Sequence, residues 1–374
     1  MNRSLRAPAS SRQGGLSLVE LMIAVLLGLI VVAGLIQILL ANRKAYQLQQ
    51  GSNYLQQNIR FAVDRIGWSV RMADFWGGVD AKNVQGLLGD GSGSSGCDAA
   101  WVRAGKSGGT GGGIYGYDGA STFPLNGCVP DSDYVKGSDV LVVRYVDADP
   151  CDVPNGATGL TTNTCKPESA FYLAANVGQQ AELFAAGGSV PVLAGTTTRY
   201  VYPYRVEMYY LQPCSDRGAG DACTATSDGG VPQPTLMRMR LDSTGKLVRE
   251  PVVDGIEQLQ FEYEVVTANK DGTTTSSFKN ASKMAAGEWG SVYAVRISML
   301  SRNRERDQAI SYDGTFQLTG TCGYQISNTG AFTLSSTDND CNGFSLAGLT
   351  GANHFVRRLH QQMVQVRNRI HSPG

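Results

Sequence analysis

The chain has little charge and no imbalance in it. Only 17% of its 374 residues are Asp, Glu, Lys or Arg, and 32 acidic residues match 32 basic ones. A basic field able to hold a phosphate backbone is missing, so nucleic acid is not the expected partner. Histidine is scarce: His354, His360 and His371 all fall near the C-terminus. No two cysteines have CxxC spacing, which removes zinc-ribbon and thioredoxin-like sites. Proline is absent between Leu16 and Trp76, so nothing there interrupts a helix. No repeat of solenoid or propeller period occurs.

What is present begins with an apolar run. From Leu21 to Ala41 there is no charge, and the one amide is Gln37. A helix of about 20 such residues, rising ~1.5 Å each, covers the hydrocarbon core of a bilayer. The run exceeds the h-region of a secretory signal, and its small pair, Gly14-Gly15, lies in front of it rather than behind. Any processing therefore leaves the apolar segment in the mature chain. Glu20 sits just inside this segment, where an unpaired carboxylate is expensive and marks a functional position. The plain alternative is a signal anchor whose Glu20 reaches out to the membrane edge.

Beyond Ala41 the pattern turns amphipathic. Leu48, Leu55, Ile59, Val63, Ile66 and Val70 recur at helical spacing, with Arg43, Lys44, Asn58, Arg60, Asp64 and Arg65 between them. One helix from Leu16 to about Met72 would be on the order of 85 Å long. Gly28 and Gly34 within it either admit a close neighbour helix or mark where it loosens.

The rest reads as a β-rich, loop-rich head. Asp74–Gly119 is Gly- and Ser-rich and reads as loop. Asp139–Val146, Arg199–Leu211, Thr235–Leu241, Ile256–Val266 and Val292–Ser301 are rich in β-branched and aromatic residues, with stretches of period two. Asp242–Gly245 is a tight turn into Lys246–Val253, making a hairpin. Phe355–Ile370 fits a helix stripe and also a strand; the strand is preferred. The fold class is α+β: a helix packed on a mainly antiparallel sheet.

Eight cysteines, Cys97, Cys128, Cys151, Cys165, Cys214, Cys223, Cys322 and Cys341, all lie after the apolar run. An even set suggests an oxidising compartment. Sequence neighbours make the simplest pairs, Cys151 with Cys165, Cys214 with Cys223 and Cys322 with Cys341, although connectivity is not readable from spacing. Arg3, Arg6 and Arg12 favour a cytoplasmic leader. Arg43 and Lys44 weaken that asymmetry, and the cysteines settle the head on the outer side.

Several motifs resemble chemistry without its context. Residues 100–107 loosely match a P-loop, and 105–109 match GxSxG, but the flanks are Gly-rich rather than strand and helix. Asp147–Asp152 and Asp338–Asn342 are oxygen-rich runs that suit Ca²⁺ or, better, solvated turns. The tyrosines at 200, 202, 204, 209 and 210 suit an adhesive face or sheet packing. No metal site is assigned.

Gly15, Leu16 and Glu20 together resemble the class III signal of type IV prepilins. The match comprises a short basic leader ending in Gly, an apolar first mature residue, Glu at the fifth mature position and an apolar helix. The phrases GLSLVELMIAVLLGL, LVREPVVDGIEQLQFEYEV, VYAVRISMLSRN and RRLHQQMVQVRNRI are similar to the minor pilin family PilW. The resemblance implies a leader at 1–15, a membrane or filament-core half-helix at 16–41, an amphipathic half at 42–72 and a head at 73–374. It implies a non-enzymatic subunit with no cofactor and no small-molecule substrate. It further implies that a prepilin peptidase cuts after Gly15 and N-methylates Leu16, whose amine would then pair with Glu20 of an adjoining subunit. Implied partners are other minor pilins and pilus assembly proteins in a priming or tip complex. The implied location is the bacterial inner membrane, single-pass with a periplasmic head, and then the pilus, in the setting of cell adhesion and twitching motility. A pseudopilin of a type II secretion system carries the same signal and is the first alternative; the second, from a different class, is a signal-anchored periplasmic enzyme or binding protein, which would need neither Glu20 nor cleavage at Gly15.

Overall fold

The structure, a computed structural model, describes residues 15, 17–86, 97–103, 113–151, 153, 165, 169–193, 200–218, 220, 222–269, 271, 273–329, 332–336 and 352–369. One helix, α1, spans Leu18–Met72 without a break. The chain falls into two compact units, Met1–Ser52 and Asn53–Gly374, and α1 passes from the first to the second.

Within the second unit α1 is amphipathic, as its spacing requires. Leu55, Ile59, Ala62, Val63, Ile66 and Val70 are buried, one stripe at i, i+3, i+4 and i+7. Leu48, expected in the same stripe, is 44% exposed; it belongs to the first unit, and the covered stripe begins at Leu55. Two residues past the helix end, Asp74 adopts a left-handed φ of 59°, a conformation that a short polar side chain tolerates. Its carboxylate accepts the Gly113 N–H. The Asn368 amide donates to the carbonyls of Arg71, Met72 and Ala73 at 3.1, 3.3 and 3.0 Å, satisfying groups that a helix end leaves open.

Three sheets complete the head. The first holds β1 (Val84–Gln85), β2 (Ile114–Tyr117), β3 (Val140–Val146), β4 (Phe171–Asn176), β5 (Gln180–Ala185), β6 (Tyr200–Gln212), β7 (Thr235–Leu241) and β8 (Leu247–Asp254). The second holds β9 (Ile256–Ala268), β10 (Thr274–Lys279), β11 (Val292–Arg302) and, after an excursion, β15 (Arg357–Gln365), in the order β10-β9-β11-β15. That excursion is the third sheet, β12 (Gly314–Gln317), β13 (Cys322–Ile326) and β14 (Phe332–Ser336). Among the described pairs only β1 and β5 run parallel. The stripe of α1 packs on Leu259, Phe261 and Tyr263 of β9 and on Val295, Ile297 and Met299 of β11. The C-terminal segment is a strand, and the β7–β8 hairpin turns at Asp242–Lys246, whose Asp242 accepts the N–H of Thr244 and Lys246.

The expectation of loop over Asp74–Gly119 is corrected. Ile114–Tyr117 is a strand paired with β3. A side chain at Gly116 would strike the Tyr263 hydroxyl, so this glycine permits close packing rather than mobility. Residues 87–96 and 104–112 lie outside the described residues. The β4–β5 hairpin and the third sheet had no sequence expectation.

Two buried polar nodes join these layers. Glu207 on β6 accepts from Arg65 of α1 at 2.7 Å, Arg238 of β7 at 3.0 Å and the Tyr209 hydroxyl at 2.8 Å, and Ser69 of α1 also donates to it. In the second node Glu257 of β9 meets Arg357 of β15, with side chains 5% and 1% exposed. Burial by itself would push the Glu257 carboxyl up; the Arg357 and Arg302 guanidiniums outweigh it and hold the carboxyl below the usual carboxylate range. Because the folded value is depressed, this node stabilises the head above the unfolded carboxylate value and loses that contribution as pH falls. Arg357→Met strands a buried carboxylate and should cost about 3–5 kcal/mol. Urea unfolding of the variant at neutral pH checks the magnitude. Repeating it toward pH 4 should show the wild-type head weakening more steeply than the variant.

Candidate functional site

The first turn of α1 carries the signal residues. Ser17 precedes the helix, and its hydroxyl accepts the Val19 N–H at 3.2 Å. Glu20 reaches back, and its carboxylate accepts the Ser17 N–H at 3.2 Å. Ser17 thus caps the second helical amide while Glu20 takes the Ser17 amide, one half of a Ser-x-x-Glu capping box, and both bonds satisfy amides that a helix start leaves unpaired. A carboxylate in this turn also complements the positive end of the helix dipole. Ser17 has no role among the sequence expectations, although its spacing to Glu20 is the capping signature. Gly15 is exposed, and an added Cβ there would meet nothing within 4 Å. Leu16 lies outside the described residues.

From this turn onward α1 is long and apolar enough to cross a membrane. Its large apolar side chains from Leu21 to Leu40 are 52–64% exposed. A face so apolar and so uncovered has to meet lipid or other apolar helices. The helix is continuous through Gly28 and Gly34, and a Cβ at either would meet nothing within 4 Å. These glycines therefore leave open notches on the surface rather than a break.

The remaining site residues disperse over the head. Cys97 bonds Cys128, Cys151 bonds Cys165 and Cys214 bonds Cys223, with Cα separations of 5.2, 4.7 and 5.6 Å. Cys322 is also disulfide-bonded, and Cys341 lies outside the described residues. Of the Asp147–Asp152 run, Asp147 is taken by Arg205 at 2.7 Å, an occupied carboxylate rather than an open cation ligand. The Asp338–Asn342 run lies outside the described residues, as do Lys106, Ser107 and His371. His354 contacts the Ile310 carbonyl through Nδ1, and His360 lies on β15. Tyr202, Tyr204, Tyr209 and Tyr210 are buried and Tyr200 is 43% exposed, so four of the five pack in the sheet rather than form a face. Trp101 and Val102 lie in a short buried helix in front of Lys106, the reverse of the strand-before, helix-after order that a P-loop needs.

A carboxylate at the start of an exposed apolar helix defines a class, and the comparison agrees with it. Residues 10–36 match the family model of the prokaryotic N-terminal methylation motif. Residues 222–368, from the loop before β7 through β15, match the model of PilW, type IV pilus-assembly protein W. The two matches together support a type IV pilus-related pilin, and the second contains the Glu257–Arg357 node. No curated protein and no solved structure matches the chain significantly.

The disulfides generate a stability test. Cys97→Ser with Cys128→Ser opens a loop of sequence separation 31 and should cost about 2–4 kcal/mol. Thermal melting of the double variant beside the wild type measures it.

Proposed function

We propose that the chain is a minor pilin of the type IV pilus. A prepilin peptidase removes residues 1–15 at Gly15 and methylates the new amine of Leu16. Residues 16–41 hold the subunit in the inner membrane and then in the filament, residues 42–72 seat it on its head, and residues 73–374 form that head on the periplasmic side. Inside the helix bundle Glu20 exchanges its internal Ser17 partner for the charged amine of an adjoining subunit. An unmatched buried charge is strongly unfavourable, so this pair sets the axial stagger. The subunit works with other minor pilins in a priming or tip complex and carries out no catalysis itself.

The observation that carries this reading is Glu20 at the start of an uncovered apolar helix, within the residues matching the methylation motif. The PilW match favours the pilus over a type II secretion pseudopilin. Mass spectrometry of the membrane-extracted protein should find N-methyl-Leu16 as the first residue, and an intact Met1 is incompatible with the proposal. Glu20→Ala should be processed normally yet recovered from sheared pili in much reduced amount. Equal recovery would remove the pairing role from Glu20.

A further inference from the structure

An open groove of about 340 Å³ lies along the second unit between α1 and β15. Its floor is apolar, from Ile59 and Val63, and its rim carries Arg60, Asp64, Arg358 and His360. The Arg60–Asp64 pair is long, at 3.8 Å, and both side chains are more than two-thirds exposed, 86% and 71%, so it is weakly held. Arg358 is exposed and makes no ion pair among the described residues. Two arginines and a histidine thus face a single carboxylate.

The strand forming one wall is itself incomplete. β15 pairs with β11 along its whole length and with no other strand among the described residues. Strand alternation places Arg358, His360 and Gln362 on the face toward α1, in register with Ser301, Met299 and Ile297. The opposite face presents Met363, 59% exposed, opposite Arg296. A free edge exposes a row of backbone donors and acceptors, and natural sheets protect such edges unless they are used. The edge strand β8 carries such protection in Arg249, Glu250 and Pro251. β15 has no proline, and its edge presents Arg358 and His360 on one side and, on the other, Met363 exposed between Gln361 and Gln365.

We infer that this edge is a docking site for an extended segment of a partner protein that alternates acidic and apolar residues. The segment adds as a strand beside β15, its carboxylates facing Arg358, Arg60 and His360 and its apolar side chains covering Met363. Backbone pairing supplies the affinity of such an addition, and alternate side chains supply the selectivity. The reading as an assembly subunit bears only on which protein supplies the segment; the docking chemistry rests on the groove.

The test uses the full chain in detergent micelles and fluorescence anisotropy with labelled peptides matched to β15 in length. One alternates glutamate and valine, one alternates lysine and valine, and a third repeats the glutamate peptide with alternate backbone nitrogens methylated. The glutamate peptide is expected to bind and the other two to fail. Arg358→Glu should weaken binding about fivefold or more, with an unchanged melting temperature. Met363→Ser, which leaves the charges in place, should weaken it as well. No binding of the glutamate peptide overturns the proposal, as does equal binding of the lysine peptide, undiminished binding after backbone methylation, or indifference to Arg358→Glu. Because the assay never asks whether pili form, its failure is separate from failure of the pilin reading.

Discussion

Burial of the stripe from Leu55 to Val70 of α1 against β9 and β11 is the contact on which the head depends. Ile66 and Val70 are fully enclosed, and an isolated helix of this composition is marginal without such cover. The stripe meets Leu259, Phe261, Val295 and Ile297, so losing it would expose the sheet face as well as the helix. Earlier in the same helix the large apolar side chains from Leu21 to Leu40 are all more than half exposed. A single helix therefore carries two different demands for apolar surroundings, one met inside the chain and one left for lipid or other apolar helices.

Ion pairs then decide how the layers register. Glu207 ties α1 to β6 and β7 through Arg65 and Arg238, and Glu257 ties β9 to β15 through Arg357. Arg302, enclosed beside this second node, donates to the Pro232 carbonyl. Buried charges of this kind are poor sources of net stability, but a misaligned strand would leave one unpaired at high cost. Asp139 shows the same logic in a neutral direction: burial first, and then the nearby Asp118, push its carboxyl well above the usual range, while the Gly119 and Phe261 amides hold its oxygens.

The legible parts of the sequence were those with a strict period. The helix was readable because Leu55, Ile59, Val63, Ile66 and Val70 keep a helical interval and no proline interrupts them. The strands β3, β6, β7, β9 and β11 were readable from dense Val, Tyr, Ile and Phe. β2 was not, because Gly116 looks like loop until Tyr263 is seen pressing on it. The third sheet was also hidden: Gly314–Gln317 and Cys322–Ile326 are short, mixed in polarity and surrounded by turn residues. Ser17 is inconspicuous in the sequence because a serine before an apolar helix is common, and only its bonds to Val19 and Glu20 mark it as the cap.

The sequence by itself determined the local features: the apolar run, the carboxylate four residues after Leu16, the amphipathic continuation and the even set of cysteines. Each depends on neighbours within a turn or two of helix or strand. Only the tertiary structure decided that Cys97 joins Cys128, that Glu207 and Glu257 become buried nodes, and that β15 ends the second sheet among the described residues. Those outcomes bring together residues far apart in the chain, where periodicity carries no information and packing alone selects the partner.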